Sequence, residues 1–240
     1  MPQRIRAFQL EFFGQLPPVA QSCAFWESDP HDRAEPGQLD NRDVKLAWLT
    51  ATLQEWGTCG QVAIVDDELI GFAFYAPSSR VPGGTAPLSG PTAGETVLLL
   101  GTWVDPRWRG GGVAKQLIQA TAKDLIERRA AGAIEVIAAA HAAPPDRAST
   151  DPVHDVRLAQ DAVHRDCRLP VAFAEAVGFE MQRAHPTYPR LRMNLRRTLP
   201  WSRGLAARWR RLVVAVRPPQ MAPRPRRSEA AETRTVELSR

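Results

Sequence analysis

The chain has 240 residues, 44% of them hydrophobic and 24% charged, with a formal net charge of +5. This apolar content excludes a disordered protein, and no apolar run approaches the ~20 residues that span a bilayer. Residues 1–195 hold 19 basic and 23 acidic side chains, a net charge of −4, whereas residues 196–240 hold 12 arginines and three glutamates, a net charge of +9. The basic balance therefore belongs to a tail on a mildly acidic body.

Cysteine usage indicates the compartment. Cys23, Cys59 and Cys167 are odd in number and widely spaced, so they predict no disulfide framework and favour a reducing environment. The basic and apolar residues near the N-terminus are interrupted before a signal-peptide core can form. We therefore expect a soluble, cytoplasmic protein. The 28 arginines against three lysines are typical of a GC-rich genome, so part of the arginine excess needs no functional explanation.

The first part of the chain predicts a strand, a loop and a helix. Residues 5–13 are apolar with partial alternation, which favours an opening strand, and the polar residues 27–42 favour a loop. Asp43 can cap a helix that Gly57 ends. The apolar residues of this helix share one face: Leu46, Leu49, Leu53 and Trp56.

A hairpin comes next. Residues 61–65 and 69–75 have strand composition and flank an acidic turn at residues 66–68. Residues 77–94 are rich in proline, glycine and serine and predict an exposed loop.

The middle of the chain predicts a βαβ unit. Residues 96–104 form a nearly continuous apolar run, as a strand buried on both faces does. A glycine-rich turn leads into a helix that runs to about Ala131, with Gly132 as its stop, and residues 133–140 return as a second buried strand. Two strands connected in this way lie parallel.

The part before the tail predicts smaller elements. After the polar residues 142–168 come a short helix at residues 169–177, closed by Gly178, and a final strand pair at residues 179–183 and 191–195.

The glycine-rich turn predicts an anion site. Backbone N–H groups at a helix N-terminus have no intrahelical acceptor, and the helix dipole is positive at that end. Arg107, Arg109 and Lys115 add cationic side chains. A dinucleotide fingerprint is excluded because the third glycine and the acid after the next strand are missing, and a P-loop because Val113 follows Gly112.

The turn resembles the pyrophosphate-binding segment of the GNAT N-acetyltransferase family. The family pattern, Arg/Gln-x-x-Gly-x-Gly/Ala, is met in two nested registers, one from Arg107 and one from Arg109. Residues 173–180, with their Gly-Phe pair, look like the family's helix-to-strand segment, and residues 71–73 of the hairpin match in place. The resemblance covers about residues 40–195 and points to a bacterial member with a basic extension.

The resemblance implies fold, cofactor and reaction. The implied fold class is α/β, an α+β mixed sheet whose central βαβ unit has splayed parallel strands. The implied reaction passes an acetyl group from acetyl-CoA to a small-molecule or peptide amine by direct attack, with no metal. The residues that the resemblance assigns to acetyl-CoA are Thr102, Trp103, Val104, Arg107, Arg109, Gly110, Gly111, Gly112, Val113, Ala114 and Lys115.

Catalytic residues stay open at this point. Family members often place a proton-donating tyrosine where this chain has Ala174, after Phe173. Tyr188 is the alternative donor to the departing thiolate. The candidates for the base are Glu95, His141 and Glu27, for each of which a surface or capping role is the commoner explanation. The missing tyrosine motivates an alternative, a catalytically weak acyl-CoA-binding module that acts by interaction.

The acceptor side is indicated only in outline. Residues 25–29 are aromatic and acidic and stand where this fold commonly shapes the acceptor pocket, so their carboxylates would suit a cationic amine. Residues 142–168 are longer than most connections need and favour a lid. A metal site from His154, His164 and Cys167 is disfavoured because it lacks a tight ligand pair on both sides.

The tail has its own hypotheses. We divide the chain into an acyltransferase domain, residues 1–199, and a tail, residues 200–240. Residues 205–217 have the pattern of a basic amphipathic helix, and the proline- and arginine-rich end predicts disorder. Docking on its own domain or on a second copy in a homodimer is favoured. An anionic membrane surface and nucleic acid are the alternatives, and a nucleic-acid-associated protein is the third hypothesis for the whole chain.

Overall fold

The computed structural model describes residues 3–29, 40–85, 96–140 and 168–195. Within them, seven strands form one sheet in the order β1-β2-β3-β4-β5-β7-β6. The strands are β1 Arg4–Ala7, β2 Gly60–Val65, β3 Glu68–Pro77, β4 Val97–Val104, β5 Ala133–Ile137, β6 Glu180–Arg183 and β7 Arg190–Asn194. β4 and β5 pair in parallel and the other neighbours pair antiparallel, so the predicted mixed sheet is confirmed.

Helices cover both faces of the sheet. They are α1 Pro18–Ser22, α2 Asn41–Trp56, α3 Val113–Glu127 and α4 Val171–Ala176. Residues of α3 and α4 share a buried apolar cluster with one side of the sheet, which we call the α3 face. The N-terminal segment and α2 share a second cluster with the opposite side, which we call the α2 face.

The opening strand is shorter than the sequence predicts. β1 ends at Ala7, and Leu10–Gln15 form a 3₁₀ helix. Phe12 and Phe13 are buried there in the core of the α2 face. The apolar run of residues 5–13 thus serves two different elements, because core packing requires apolar residues in a turn as much as in a strand.

Within the described residues, the other predicted helices and strands are confirmed, with shifted ends. Asp40, and not Asp43, caps α2, since its carboxylate accepts the N–H of Arg42 at 3.0 Å. Gly57 ends this helix in a left-handed conformation, as predicted. The βαβ unit forms with a shorter helix and a shorter second strand than the apolar pattern indicates.

The loop after β3 is only partly exposed. Ser78–Arg80 and Pro82–Thr85 form two 3₁₀ turns, and Val81 between them is buried in the α2 face. The prediction of a wholly exposed loop is therefore wrong for these residues.

Candidate active site

β4 and β5 lie side by side at their beginnings and then part. The parallel register joins Val97 to Ile134 and ends where Leu99 meets Val136. Further along, the edge of β5 that faced β4 bonds to the later chain instead: the Ala139 N–H donates to the Leu169 carbonyl at 2.9 Å, and the Ala139 carbonyl accepts from the Val171 N–H at 3.1 Å. β5 therefore turns away, and a wedge-shaped gap opens beside the second half of β4.

A bulge marks the point where the gap opens. Phe74 of β3 pairs with Gly101 and Tyr75 pairs with Leu99, so Leu100 is an extra residue in β4. Leu100 and Gly101 both line a cavity of about 20 Å³ on the α2 face, which is room for one water molecule. Bulges of this kind re-aim a strand beside functional sites.

Beyond the bulge, β4 presents backbone groups to the gap. The Asp105 N–H donates to Ile70 of β3 at 2.9 Å, whereas the Val104 carbonyl faces the other edge and accepts from Arg109 Nε at 3.1 Å. Because successive residues alternate between the two edges of a strand, the backbone N–H and C=O of Thr102 also face the gap. The Thr102 hydroxyl is buried and has no hydrogen-bond partner.

The predicted anion site lies at the end of β4. Gly110 and Gly112 have φ values of 79° and 80°, in the left-handed region that glycine tolerates. Gly112 caps α3 without a side-chain bond. None of the N–H groups of residues 110–115 donates to another described residue. A Cβ at either of these two glycines would meet nothing within 4 Å, so the turn is an open cradle of unpaired donors.

The cationic side chains of the turn differ in the ion pairs and hydrogen bonds that they already make. Arg107 is 65% exposed and pairs with Asp105 at 2.7 Å and with Glu68 at 2.8 Å. Its side-chain hydrogen bond lowers the pKa of Asp105 and raises its own pKa. Arg109 covers the Val104 carbonyl, and Lys115 is exposed in the first turn of α3. Gly112, the helix cap, is the last small residue of the register from Arg107 and the first glycine of the register from Arg109.

A buried ion pair lies on the α2 face next to the bulge. Lys45 Nζ is 2.5 Å from Glu27 Oε1, and the two side chains are 6% and 0% exposed. Lys45 and Cys23 line the cavity together with Leu100. Glu27 Oε2 has no hydrogen-bond partner. Trp26 is core, and of the two acids of the predicted rim Glu27 is neutralised beneath the surface, whereas Asp29 is exposed.

The structure describes one of the three predicted catalytic residues. Tyr188 packs against the core of the α2 face and stacks on His185, whose Nδ1 accepts the Tyr188 N–H at 2.9 Å. The guanidinium of Arg168 lies 4.3 Å above the Tyr188 ring. Glu95 and His141 lie outside the described residues, as do residues 1–2, the predicted lid except its last residue, and the tail.

Burial also sets the pKa of three groups in the two cores. It raises the pKa of the Cys59 thiol to about 12 and also raises the pKa of Cys23. On the α3 face, burial raises the pKa of Tyr75, whose hydroxyl donates to Asp124 and accepts from Gln61, each at 2.9 Å. Tyr75 is therefore a structural phenol.

Two residues of this region were missed by the sequence reasoning. Lys45 precedes the fully buried Leu49 by one helical turn, a signal that could have placed it inside. Arg168 ends the polar segment directly before buried Leu169, and nothing in the pattern distinguishes it from other arginines.

The described residues contain no group of three or more histidine, cysteine or acidic side chains that could hold a metal ion. The metal-ligand set considered above, His154, His164 and Cys167, lies outside this part of the chain. No helix in the same described part combines the length and apolar character needed to cross a membrane.

Comparison with known families gives one clear match. The model of the acetyltransferase (GNAT) family matches residues 21–151, which is more than half of the chain. The matched segment includes α2, the hairpin, β4, the glycine-rich turn and α3. A search among curated proteins gives no match.

Solved structures with a similar fold are remote in sequence. PaiA N-acetyltransferase from Thermoplasma acidophilum, in complex with coenzyme A, is 14% identical over 81% of this chain and 99% of its own, with a TM-score of 0.45. YncA, a putative acetyltransferase from Salmonella typhimurium with acetyl-CoA, is 14% identical over 81% and 95%, with a TM-score of 0.46. The loading GNATL domain of CurA from Lyngbya majuscula is 13% identical over 81% and 98%, with a TM-score of 0.48.

Proposed function

Because the chain belongs to the GNAT acetyltransferase family, we propose that it transfers an acetyl group from acetyl-CoA to an amine. The proposal rests on one observation, that the gap beside β4 and the glycine-rich turn lie next to each other. The gap beside β4 runs into a turn whose three glycines, residues 110–112, are exposed and whose N–H groups, at residues 110–115, are unpaired within the described chain. A long ligand with a polar arm and a pyrophosphate matches both parts at once.

The residues present fit such a ligand. The N–H groups of Gly110, Gly111 and Gly112, with those of Val113 and Ala114, would hold the pyrophosphate at the positive end of α3. Lys115 and Arg109 bring positive charge to the same place. Arg107 would contribute only after leaving Asp105 and Glu68, so we assign it a smaller part.

The gap edge of β4 would hold the arm of the donor. The amide of Thr102 faces the gap and can donate to the thioester carbonyl, where negative charge develops as the amine attacks. Trp103 and Val104 form the adjacent wall, with Trp103 stacked on Phe72 at 6.1 Å. Acetyl-CoA supplies an acyl group already activated as a thioester.

The transfer requires two proton movements. The bond between the amine nitrogen and the acyl carbon forms as the bond between that carbon and sulfur breaks. The amine loses a proton to a base, for which Glu95 and His141 remain our proposals, and the thiolate gains one. We assign the second proton to Tyr188, since Ala174, at the family's usual tyrosine position, is fully buried.

A charge reversal in the turn tests the donor. Gly111 has no positive φ, and a Cβ there would meet only Trp108 O at 3.5 Å, an ordinary contact, so side chains are tolerated. Gly111→Glu would put a carboxylate beside the pyrophosphate, and Gly111→Gln has the same size without the charge. We expect acetyl-CoA at 100 times its Kd to stabilise the wild type by about 2.7 kcal/mol. Gly111→Glu should need at least about tenfold more ligand than Gly111→Gln for the same rise in Tm.

The outcomes separate three readings. If acetyl-CoA gives the wild type no rise in Tm, the proposal is wrong. If it binds and CoA thiol is released over a panel of amines, the enzyme is supported. Binding without release from any amine would favour the alternative, an acyl-CoA-binding module, which the buried Ala174 at the usual tyrosine position motivates.

A further inference from the structure

Arg168 is held in a fixed place on the α2 face. Its guanidinium carbon lies 4.3 Å from the centre of the Tyr188 ring and 5.6 Å from that of Phe25. The two rings belong to distant parts of the chain, and the side chain contacts both. Contacts of a guanidinium with two aromatic faces restrict its motion and are favourable in themselves.

The guanidinium of this partly buried residue lacks the partners that an enclosed cation normally has. Its Nε and Nη1 are enclosed and make no hydrogen bond to any described residue. No carboxylate of the described chain forms an ion pair with it. Buried polar groups in native proteins almost always have a partner, and an orphaned charged donor is costly. Such a group calls for a ligand or an ordered water.

The aromatic rings that contact Arg168 place this cation beside the core of the α2 face, against which Phe25, Tyr188 and Trp103 all pack. Lys45, Glu27 and Arg168 all act electrostatically on the thiol of Cys23, which lines the cavity at the β4 bulge with Leu100. Lys45 and Glu27 neutralise each other at 2.5 Å. Within the part of the chain that the structure describes, Arg168 is thus the uncompensated charge of this cluster.

We propose that Arg168 binds a carboxylate on the acceptor, so that the acceptors are amines that also carry a carboxylate group. This inference rests on the proposed acetyl transfer, because it names the acceptor of the same site. The carboxylate would accept from the guanidinium while the amine faces the bulge, where the acyl group arrives.

The charge count favours a carboxylate over a phosphate. A carboxylate brings one negative charge and matches the single uncompensated guanidinium of this cluster. A phosphate brings up to two charges and is bound best by several cations.

Paired acceptors test the proposal with the full chain and acetyl-CoA. The release of CoA thiol is measured with amino acids and with their carboxamides, which differ only in the charged group. A second pair, β-alanine and 2-aminoethylphosphonate, compares carboxylate with phosphonate at the same length. We expect kcat/KM to be about 10- to 100-fold higher for each carboxylate, since hydrogen bonds to charged groups are worth about 1.5–3 kcal/mol.

Variants connect the preference to this residue. In Arg168→Met the ratio of carboxylate to carboxamide should fall to about one, mainly through KM, and Arg168→Lys should keep an intermediate ratio because it retains charge without the planar fork. Arg183→Met is the matched control, because Arg183 is exposed on β6 and its loss should leave the wild-type ratio. The rise in Tm with acetyl-CoA shows that each variant is folded and binds the donor.

Several results would overturn the inference. Equal rates for carboxylates and carboxamides in the wild type mean that Arg168 contacts water and not the acceptor. A preference for the phosphonate over β-alanine means that the site binds a different class of anion. A preference for carboxylates over carboxamides that persists in Arg168→Met means that another residue binds the carboxylate. If no acetyl-CoA binding is seen at all, the proposed function fails instead, so the two failures are distinguishable.

Discussion

The two faces of the sheet bury different chemistry. On the α3 face, α3 packs with apolar residues, and the buried polar groups there are uncharged, such as Tyr75 and Gln61. On the α2 face, Glu27 and Lys45 are buried. Glu135 is buried as well, and it lies on this face because Ile137, two residues further along β5, belongs to the same core. Burial of a charge is expensive unless it is paired. The difference is that the core of the α3 face is uncharged, whereas the α2 face depends on paired charges within its core.

The largest difference between the two faces is expected when one partner of the buried Lys45–Glu27 pair is removed. Lys45→Met leaves the carboxylate of Glu27 buried and uncompensated, which typically costs about 3–5 kcal/mol in the free energy of unfolding. The double variant Lys45→Met with Glu27→Leu removes both charges, and most of the stability should return. Urea unfolding at neutral pH measures each variant.

A matched change on the α3 face supplies the control. Tyr75→Phe removes the hydroxyl between Gln61 and Asp124 and leaves no unpaired charge, so it should cost about 1 kcal/mol. If Lys45→Met costs no more than Tyr75→Phe, the buried pair is not a structural charge cluster and the contrast between the faces disappears.

A smaller effect is expected where β3 supports the gap. A Cβ at Gly71 would lie 2.9 Å from the carbonyl oxygen of Trp103 and 3.3 Å from Leu117. Gly71→Ala must therefore shift the second half of β4, at a cost of about 1–3 kcal/mol. Because that half forms the wall of the gap, the affinity for acetyl-CoA should fall as well, which calorimetric titration measures.

Gly60 provides the comparison for this effect. A Cβ there would meet the Phe74 ring at 2.7 Å and the Ala73 carbonyl at 2.8 Å, within the hairpin, and β3 separates Gly60 from the wall of the gap formed by β4. Gly60→Ala should lower stability by a similar amount and leave acetyl-CoA affinity unchanged. Equal losses of affinity in both variants would contradict a specific role for the β4 edge.

The smallest effect concerns an exposed pair at the edge of the site. The guanidinium of Arg107 lowers the pKa of Asp105, so Asp105 contributes stability at pH values above about 3.9, its ordinary value, and this contribution is lost as the pH falls through the lower folded value. Asp105→Asn keeps an acceptor for the Arg107 N–H. The urea midpoints of the two proteins should differ at pH 7 and converge below pH 3.

Salt gives the control for that pair. Because Arg107 is 65% exposed, high salt should shrink the difference at pH 7. A difference that is constant from pH 7 to pH 3 would contradict an electrostatic origin.

Sequence patterns predicted the α3 side of the molecule well. The buried strand, the glycine turn and the amphipathic helix are contiguous, and each has a local signal, so the parallel pair and the open turn followed from their order. The α2 side depends on contacts between distant residues. Lys45 and Glu27 are 18 positions apart, and Arg168 meets Phe25 across most of the domain. Composition carries no signal for such pairings.

The errors have a similar physical origin. The most buried residues of α2 are Lys45, Leu49 and Thr52, a line at helical spacing that an apolar count ignores because lysine is normally exposed. The N-terminal apolar run was assigned to a strand because periodicity over so few residues does not separate a strand from a packed turn. The gap itself was implied by family resemblance, since no sequence pattern says where two strands part.

The gap also has a consequence for how the chain avoids self-association. Where β4 and β5 part, the sheet acquires an unpaired strand edge in its interior, and bare edges are templates for strand addition by another molecule. Arg109 occupies the Val104 carbonyl at this edge, and a bulge precedes it, two of the devices by which natural sheets discourage such pairing. Arg109 thus also hinders the addition of a strand from another molecule, and a ligand lying along β4 would cover the rest of this edge.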